Sequence, residues 1–248
     1  MKLFSRRQFI DRIALTAGAV PLLQNRNLFI DKMRQTGEKE EYVDAEITHG
    51  KIRGVRIEGV NIFKGIPYGG KVSAEKRFLK PSPPEPWPGI REALVLGAPS
   101  MQSPRRNEPA PSEDCLFLNV WTPANDNKKR PVMFYNHGGG YLIGSGGKSS
   151  QDGSSLARNF DVVVVETNHR LGIFGFLYLD EIAGPEYSGS GNLGLLDMAA
   201  GLSWVNENIS VFGGDPGNVM IFGESGGGGK TSCLYAMRLQ RLFSTRHP

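Results

Sequence analysis

The chain is 248 residues long, with 29 Lys and Arg against 25 Asp and Glu, a formal net charge of +4. The excess sits at the ends: residues 1–40 hold eight basic and four acidic side chains and residues 238–248 three more basic ones, leaving 18 basic against 21 acidic between them. That balance excludes a nucleic-acid surface spread over the body, the two cysteines, Cys115 and Cys233, fit no metal-ligand spacing, and about 200 residues of body suffice for one core but not for two full domains.

Residues 1–24 carry Ser5-Arg6-Arg7-Gln8-Phe9-Ile10 ahead of a modestly apolar run at 13–23, well short of the ~20 residues that span a bilayer. Twin arginines before a short apolar region mark a twin-arginine (Tat) export signal, and Ala17-Gly18-Ala19 offers a cleavage site before Val20. The expected partner is therefore the Tat export machinery and the expected location the periplasm or the medium, with no stable membrane span. Residues 25–41 are charged, lack apolar periodicity and read as a linker.

From residue 42 the pattern is that of an α/β domain. Residues 45–48 and 51–58 read as a hairpin around His49-Gly50, continuing into a strand at 60–63, and the proline-rich stretch 81–88 as an extended surface loop. Apolar runs at 132–136 and 162–167 suit strands covered on both faces. Asp152 or Ser154 is placed to cap a short helix through Phe160. Residues 193–207 carry Leu195, Leu196, Ala199, Leu202, Trp204 and Val205 at helical spacing, an amphipathic helix on the sheet. Asp197 lies on that packing helix, which suits a buried structural hydrogen-bond role. Glu113 and Asp114 are adjacent in an extended segment and so point apart, unlike a paired acid and base.

The chemistry concentrates in two places. Residues 219–222 form a short apolar strand running into Gly223-Glu224-Ser225-Gly226-Gly227, a Gly-x-Ser-x-Gly motif in the strand-turn-helix context of a nucleophile elbow. Glycines at 223 and 227 are needed where backbones crowd, and the following helix aims N–H groups at the reacting oxygen. The same stretch supports a second reading, since Gly226 to Thr231 spell Gly-Gly-Gly-Gly-Lys-Thr, a phosphate-binding P-loop ending. That pattern needs a glycine where Glu224 stands, and a carboxylate there repels phosphate. Upstream, Asn136-His137-Gly138-Gly139-Gly140-Tyr141 follows the strand at 131–135, and His-Gly-Gly-Gly is the oxyanion-loop pattern of esterases and lipases.

With these motifs in order, residues 43–237 resemble the type-B carboxylesterases, relatives of cholinesterases and bile-salt lipases. The resemblance extends through Phe63-Lys64-Gly65-Ile66-Pro67-Tyr68-Gly69, Glu113-Asp114-Cys115-Leu116-Phe117-Leu118-Asn119-Val120-Trp121 and Asn168-His169-Arg170-Leu171-Gly172. It continues through Gly191-Asn192-Leu193-Gly194-Leu195-Leu196-Asp197 and Phe212-Gly213-Gly214-Asp215-Pro216-Gly217-Asn218-Val219. It implies an α/β-hydrolase fold, Ser225 as the acylated nucleophile and Gly139, Gly140 and Gly226 as oxyanion-hole donors. The family usually has Ala in place of Gly226. Glu224 would line the substrate pocket, or serve as a carboxylate at the helix start. Glu113 is implied to pair with Arg77. Ser100 stands where many members have the cysteine that bonds the equivalent of Cys115, which leaves Cys115 a buried free thiol. The substrate implied is a small-molecule carboxylic ester, without metal or cofactor.

A hydrolase triad orders serine, acid, histidine. After Ser225 there is no Asp or Glu, and the sole histidine is His247. His49, His137 and His169 precede the serine and suit non-catalytic roles: an exposed turn, the oxyanion loop, and a position where the family often has Tyr. The fold is thus expected to stop after the nucleophile elbow, with the triad acid and histidine missing and the chain inactive by itself. Residues 238–248 depart from the family pattern, as a frameshifted or cut reading frame would. An alternative function is a catalytically dead binding or adhesion module, whose usual mark is loss of the serine that this chain retains.

Overall fold

The computed structural model describes residues 41–237. The readings of residues 1–24 as a signal, of 25–40 as a linker and of 238–248 as a foreign tail lie outside them, and Glu41, placed at the linker's end, is the first residue of a strand.

Strands β1 (Glu41–Ile47), β2 (Gly50–Ile57) and β3 (Val60–Pro67) form an antiparallel meander. The turn between β2 and β3 is Glu58-Gly59, both with positive φ (46° and 80°). That is the type I′ geometry whose twist matches the flanking strands. His49 lies in the first hairpin turn as expected, although half-buried rather than exposed. Short β4 (Ile90–Glu92) pairs parallel with β2. Then come β5 (Phe117–Thr122), β6 (Arg130–Asn136), β7 (Val163–Thr167) and β8 (Gly214–Gly223), and the sheet runs β1-β2-β3-β5-β7-β6-β8. Up to β7 neighbours on this path are antiparallel, whereas β7, β6 and β8 are mutually parallel. Among the described residues β8 pairs on one side only, and Met220 on it is 49% exposed.

Helices cover both faces. All five residues of β7 are buried, which accounts for its unbroken apolar run. Gly153, at the start of helix α1 (Ser154–Phe160), sits against Val164 and Trp121. Asp152 accepts the Ser154 N–H at 2.9 Å, as its position in the sequence suggested. After the short helix α2 (Gly172–Phe176) comes α3 (Leu193–Asn208), whose Gly201 sits against Phe134 and Thr167 on the opposite face. Burial on α3 extends beyond the apolar stripe to Gly194, Asp197, Gly201 and Asn208. Helix α4 (Gly226–Ala236) follows β8 and touches α3. Twenty-five buried side chains, from Ala45 to Leu234, form one core that includes Phe63, Phe134 and Phe212. No helix among the described residues is long and apolar enough to cross a membrane. Neither is there a group of three or more His, Cys, Asp or Glu side chains arranged to hold a metal.

Candidate active site

Because β6, β7 and β8 are parallel, the segments leaving their C-terminal ends meet at one edge of the sheet, where ligands bind in open α/β sheets. The β8 exit is the tightest. Ser225 holds φ 54° and ψ −121°, a conformation that side-chain-bearing residues rarely adopt. Its neighbours are glycines for a steric reason. A Cβ on Gly227 would lie 2.0 Å from the Asn136 carbonyl oxygen, and one on Gly223 would lie 2.4 Å from the Gly227 carbonyl carbon. The turn therefore presses directly on the end of β6 and leaves Ser225 exposed at the start of α4.

The β6 exit is the glycine loop. Gly139 and Gly140 take positive φ (88° and 64°), which keeps the backbone turning without a Cβ in the way. A Cβ on Gly226 would come within 2.5 Å of Gly140 Cα and 2.6 Å of its nitrogen, so the loop and the serine turn are in backbone contact. Among the described residues the N–H groups of Gly139, Gly140 and Gly226 have no hydrogen-bond acceptor. Gathered beside an exposed serine hydroxyl, three such donors can stabilise an oxyanion. Further along the loop, Gln102 straps residue 144: its Nε2 donates to the Gly144 carbonyl at 2.8 Å and its Oε1 accepts the Gly144 N–H at 2.9 Å. Asn168 accepts the Gly146 N–H at 2.8 Å. Neither support was singled out in the sequence.

Glu224 is exposed, and its Oε2 lies over Gly138, 2.2 Å from where a Cβ there would stand. No backbone N–H donates to its carboxylate among the described residues, so the helix-start alternative has no contact behind it. The P-loop alternative also fails on geometry. Residues 226–231 are the first turns of α4 rather than an open loop. Lys230 is fully buried, and its Nζ points at His169 Nε2, 3.0 Å away.

None of the three upstream histidines serves Ser225. His137 donates from Nδ1 to the Gly138 carbonyl at 2.9 Å and stacks on His169, ring centroids 4.4 Å apart. Burial, reinforced by the Lys230 charge, pushes the His137 pKa down to about 3, and burial holds His169 well below the usual imidazole range. Both rings are neutral at ordinary pH. Burial also brings Lys230 down to about 8. This cluster was missed in the sequence, although Gly227, Lys230, Thr231 and Leu234 share one helical spacing that places the lysine on the buried face.

Other expected contacts are present. Arg77 grips Glu113 with Nε and Nη2 at 2.6 and 2.5 Å. Cys115 is fully buried and unbonded, its thiol held in the protonated form by burial, with the Ser100 hydroxyl close by. That same hydroxyl accepts the Leu171 N–H at 3.0 Å. Beside the serine turn lies an apolar rim. Tyr141 stacks edge-on against Phe176 at 5.0 Å, and Leu142, Ile143, Ile173 and Tyr178 are all exposed.

Residues 40–246 match the model of the carboxylesterase family. The para-nitrobenzyl esterase of Bacillus subtilis (strain 168) is 45% identical over 195 residues, 76% of this chain and 39% of that protein. Mouse carboxylesterase 3B is 41% identical over 220 residues, 81% of this chain and 37% of that protein. A crystal structure of the Geobacillus stearothermophilus carboxylesterase superposes with a TM-score of 0.75 at 48% identity, covering 81% of this chain and 42% of that one. The chain thus spans about two-fifths of the length of these relatives.

Proposed function

The chain belongs to the carboxylesterase family, and on that premise we propose that it supplies the nucleophile and the oxyanion hole of a carboxylic ester hydrolase. Ser225 Oγ attacks the ester carbonyl carbon while a histidine takes its proton. The carbonyl oxygen, now negative, accepts hydrogen bonds from the N–H groups of Gly139, Gly140 and Gly226. Collapse expels the alcohol, which leaves with the proton from the histidine. Water then hydrolyses the acyl-serine by the same route. The observation that carries this reading is the strained Ser225 set against three unpaired N–H donors. Glu224 forms part of the pocket wall, and the apolar rim around Tyr141 favours esters with apolar groups.

The histidine and its acid come from outside residues 41–237, in keeping with the share of the relatives that this chain covers. By itself the 248-residue chain therefore turns over esters at background. The twin-arginine segment directs export, and exchanging Arg6 and Arg7 for lysine in a full-length gene should leave the precursor in the cytoplasm; undiminished periplasmic activity would refute that route.

The test of the main reading uses a fluorophosphonate probe and p-nitrophenyl acetate on two forms, the 248-residue chain and a gene carried on to the relatives' length. The long form should be labelled at Ser225 and lose both labelling and turnover in Ser225→Ala. Labelling elsewhere sinks the nucleophile assignment. Brisk Ser225-dependent turnover by the short chain sinks the missing base and makes His247 the first suspect.

A further inference from the structure

Lys230 is a charged side chain in the middle of a buried helix stripe, and nothing in the proposed reaction uses it. Its ammonium is fully buried, and among the described residues no carboxylate lies within ion-pair distance. Among the described residues its hydrogen-bond partner is the Nε2 of His169, at 3.0 Å. An ammonium only donates, so Nε2 must accept and neutral His169 must carry its proton on Nδ1. His169 in turn stacks on His137, the first residue of the glycine loop, with ring planes inclined by 21°. His137 is pinned on its other side, because its Nδ1 donates to the Gly138 carbonyl and the backbone at Gly144 packs against the ring. The remaining ring nitrogens, Nδ1 of His169 and Nε2 of His137, are buried without partners. The stack is therefore held in register by Lys230 at one end and the loop backbone at the other. A second link runs parallel to it, from Asn136 Nδ2 to Thr231 Oγ1 at 3.0 Å.

Burying an ammonium against a single imidazole is costly. A methionine or leucine would fill the same stripe without that cost. The lysine is explained if its contact does something packing does not. Resting on the reading of Ser225 as nucleophile, we propose that Lys230 is a positioning residue: through His169 and the stacked His137 it fixes where the Gly139 and Gly140 N–H groups point relative to Ser225. The chain thereby couples the nucleophile helix to the oxyanion loop across the ends of β7 and β6. The groups facing Lys230 are His169 and, behind it, His137, both neutral. Its ammonium and the Arg105 guanidinium are the positive charges that act on His137, and their sign suits an oxyanion.

Histidine-¹⁵N and glycine-amide spectra of the 248-residue chain test this without any catalysis. The parent should show His169 in the Nδ1–H form. Raising the pH should move the His169 signals and the Gly139 and Gly140 amides together, with an inflection near 8. Lys230→Met should remove that inflection, release the His169 tautomer and shift both glycine amides, while Lys230→Arg, which keeps a donor that does not titrate near 8, should restore the tautomer and the amide positions without the inflection. Glycine amides that stay unmoved both in the parent titration and in Lys230→Met overturn the proposal, and the titration alone decides it should the variant fail to fold. In a form with Ser225-dependent turnover, Lys230→Met should lower kcat on the order of tenfold with KM unchanged, because the oxyanion exists only past the ground state. Turnover that is independent of Ser225 sinks the nucleophile reading and leaves the spectra to judge Lys230.

Discussion

The carboxylate of Asp197 accepts three hydrogen bonds from a single residue, Arg170: from Nε at 2.9 Å, from Nη2 at 2.7 Å and from the backbone N–H at 3.0 Å. Both side chains are at most 2% exposed. The pair locks α3 to the segment that leaves β7, and a fourth bond, from Nη1 to the Leu79 carbonyl, ties in the loop before it. Removing one partner of such a pair strands the other charge in the core. Asp197→Ala should therefore cost about 3–5 kcal/mol, read as a lowered urea midpoint, and the double variant Arg170→Met with Asp197→Leu should recover much of the loss. An Asp197→Ala variant as stable as the parent would show that the pair does not hold these elements together.

The positive φ of Ser225 stores strain that a glycine would relieve. Ser225→Gly should abolish probe labelling and raise stability by about 1 kcal/mol, within the range for relief of an unfavourable backbone conformation. Thermal denaturation of the two proteins side by side measures this. Equal or lower stability in the glycine variant would mean the turn is not strained.

Gly226→Ala should perturb the site even though alanine suits a helix better by about 1 kcal/mol. The added Cβ meets the Gly140 backbone at 2.5 Å, and no rotamer change relieves a backbone contact. The loop must move, shifting the Gly140 amide resonance and slowing labelling of Ser225. Unchanged resonances would count against the close approach.

Ser100→Cys should create a disulfide with Cys115, since the present hydroxyl lies close to the thiol. Closing a loop of about 15 residues is worth about 3 kcal/mol in the chain-entropy account. Titration of the denatured, oxidised variant should find one free thiol, that of Cys233, and the gain in melting temperature should vanish with reductant. Two or more free thiols would show that the geometry forbids the bond.

Lys230 makes stability depend on pH in a definite direction. Its folded pKa of about 8 lies below the ordinary 10.5, so between these values the unfolded chain binds more protons and stability rises with pH. The penalty is present in full below 8 and is relieved by up to about 3 kcal/mol toward 10.5. The difference in urea midpoint between the parent and Lys230→Met should narrow from pH 7.5 to pH 9.5. A constant difference would mean that the amine does not titrate in that window.

The motifs that were legible in the sequence are those in which a residue type is forced by space. Gly223, Gly227, Gly139 and Gly140 sit where a Cβ collides or φ is positive, so their pattern announced the serine turn and the glycine loop. The strands at β6 and β7 and the helix α3 were legible because burial on two faces or along one stripe dictates apolar spacing. Lys230 was not: a lysine after four glycines looks like a phosphate ligand, and its burial depends on a histidine 61 positions away. Gln102 and Asn168 hold the loop through backbone groups, and such contacts leave no pattern in side-chain chemistry. β5 overlaps the motif that ends at Trp121 and α2 begins at Gly172, the last residue of another, yet neither showed a periodicity of its own.

Ser225 is delivered by β8, which within the described residues is braced along one flank only. A sideways displacement of that strand would be carried into the turn, and so into the direction from which the hydroxyl approaches a carbonyl. A segment laid along the free flank would act as a splint, and the alignment of attacker and anion cradle would then be set by how firmly that flank is occupied.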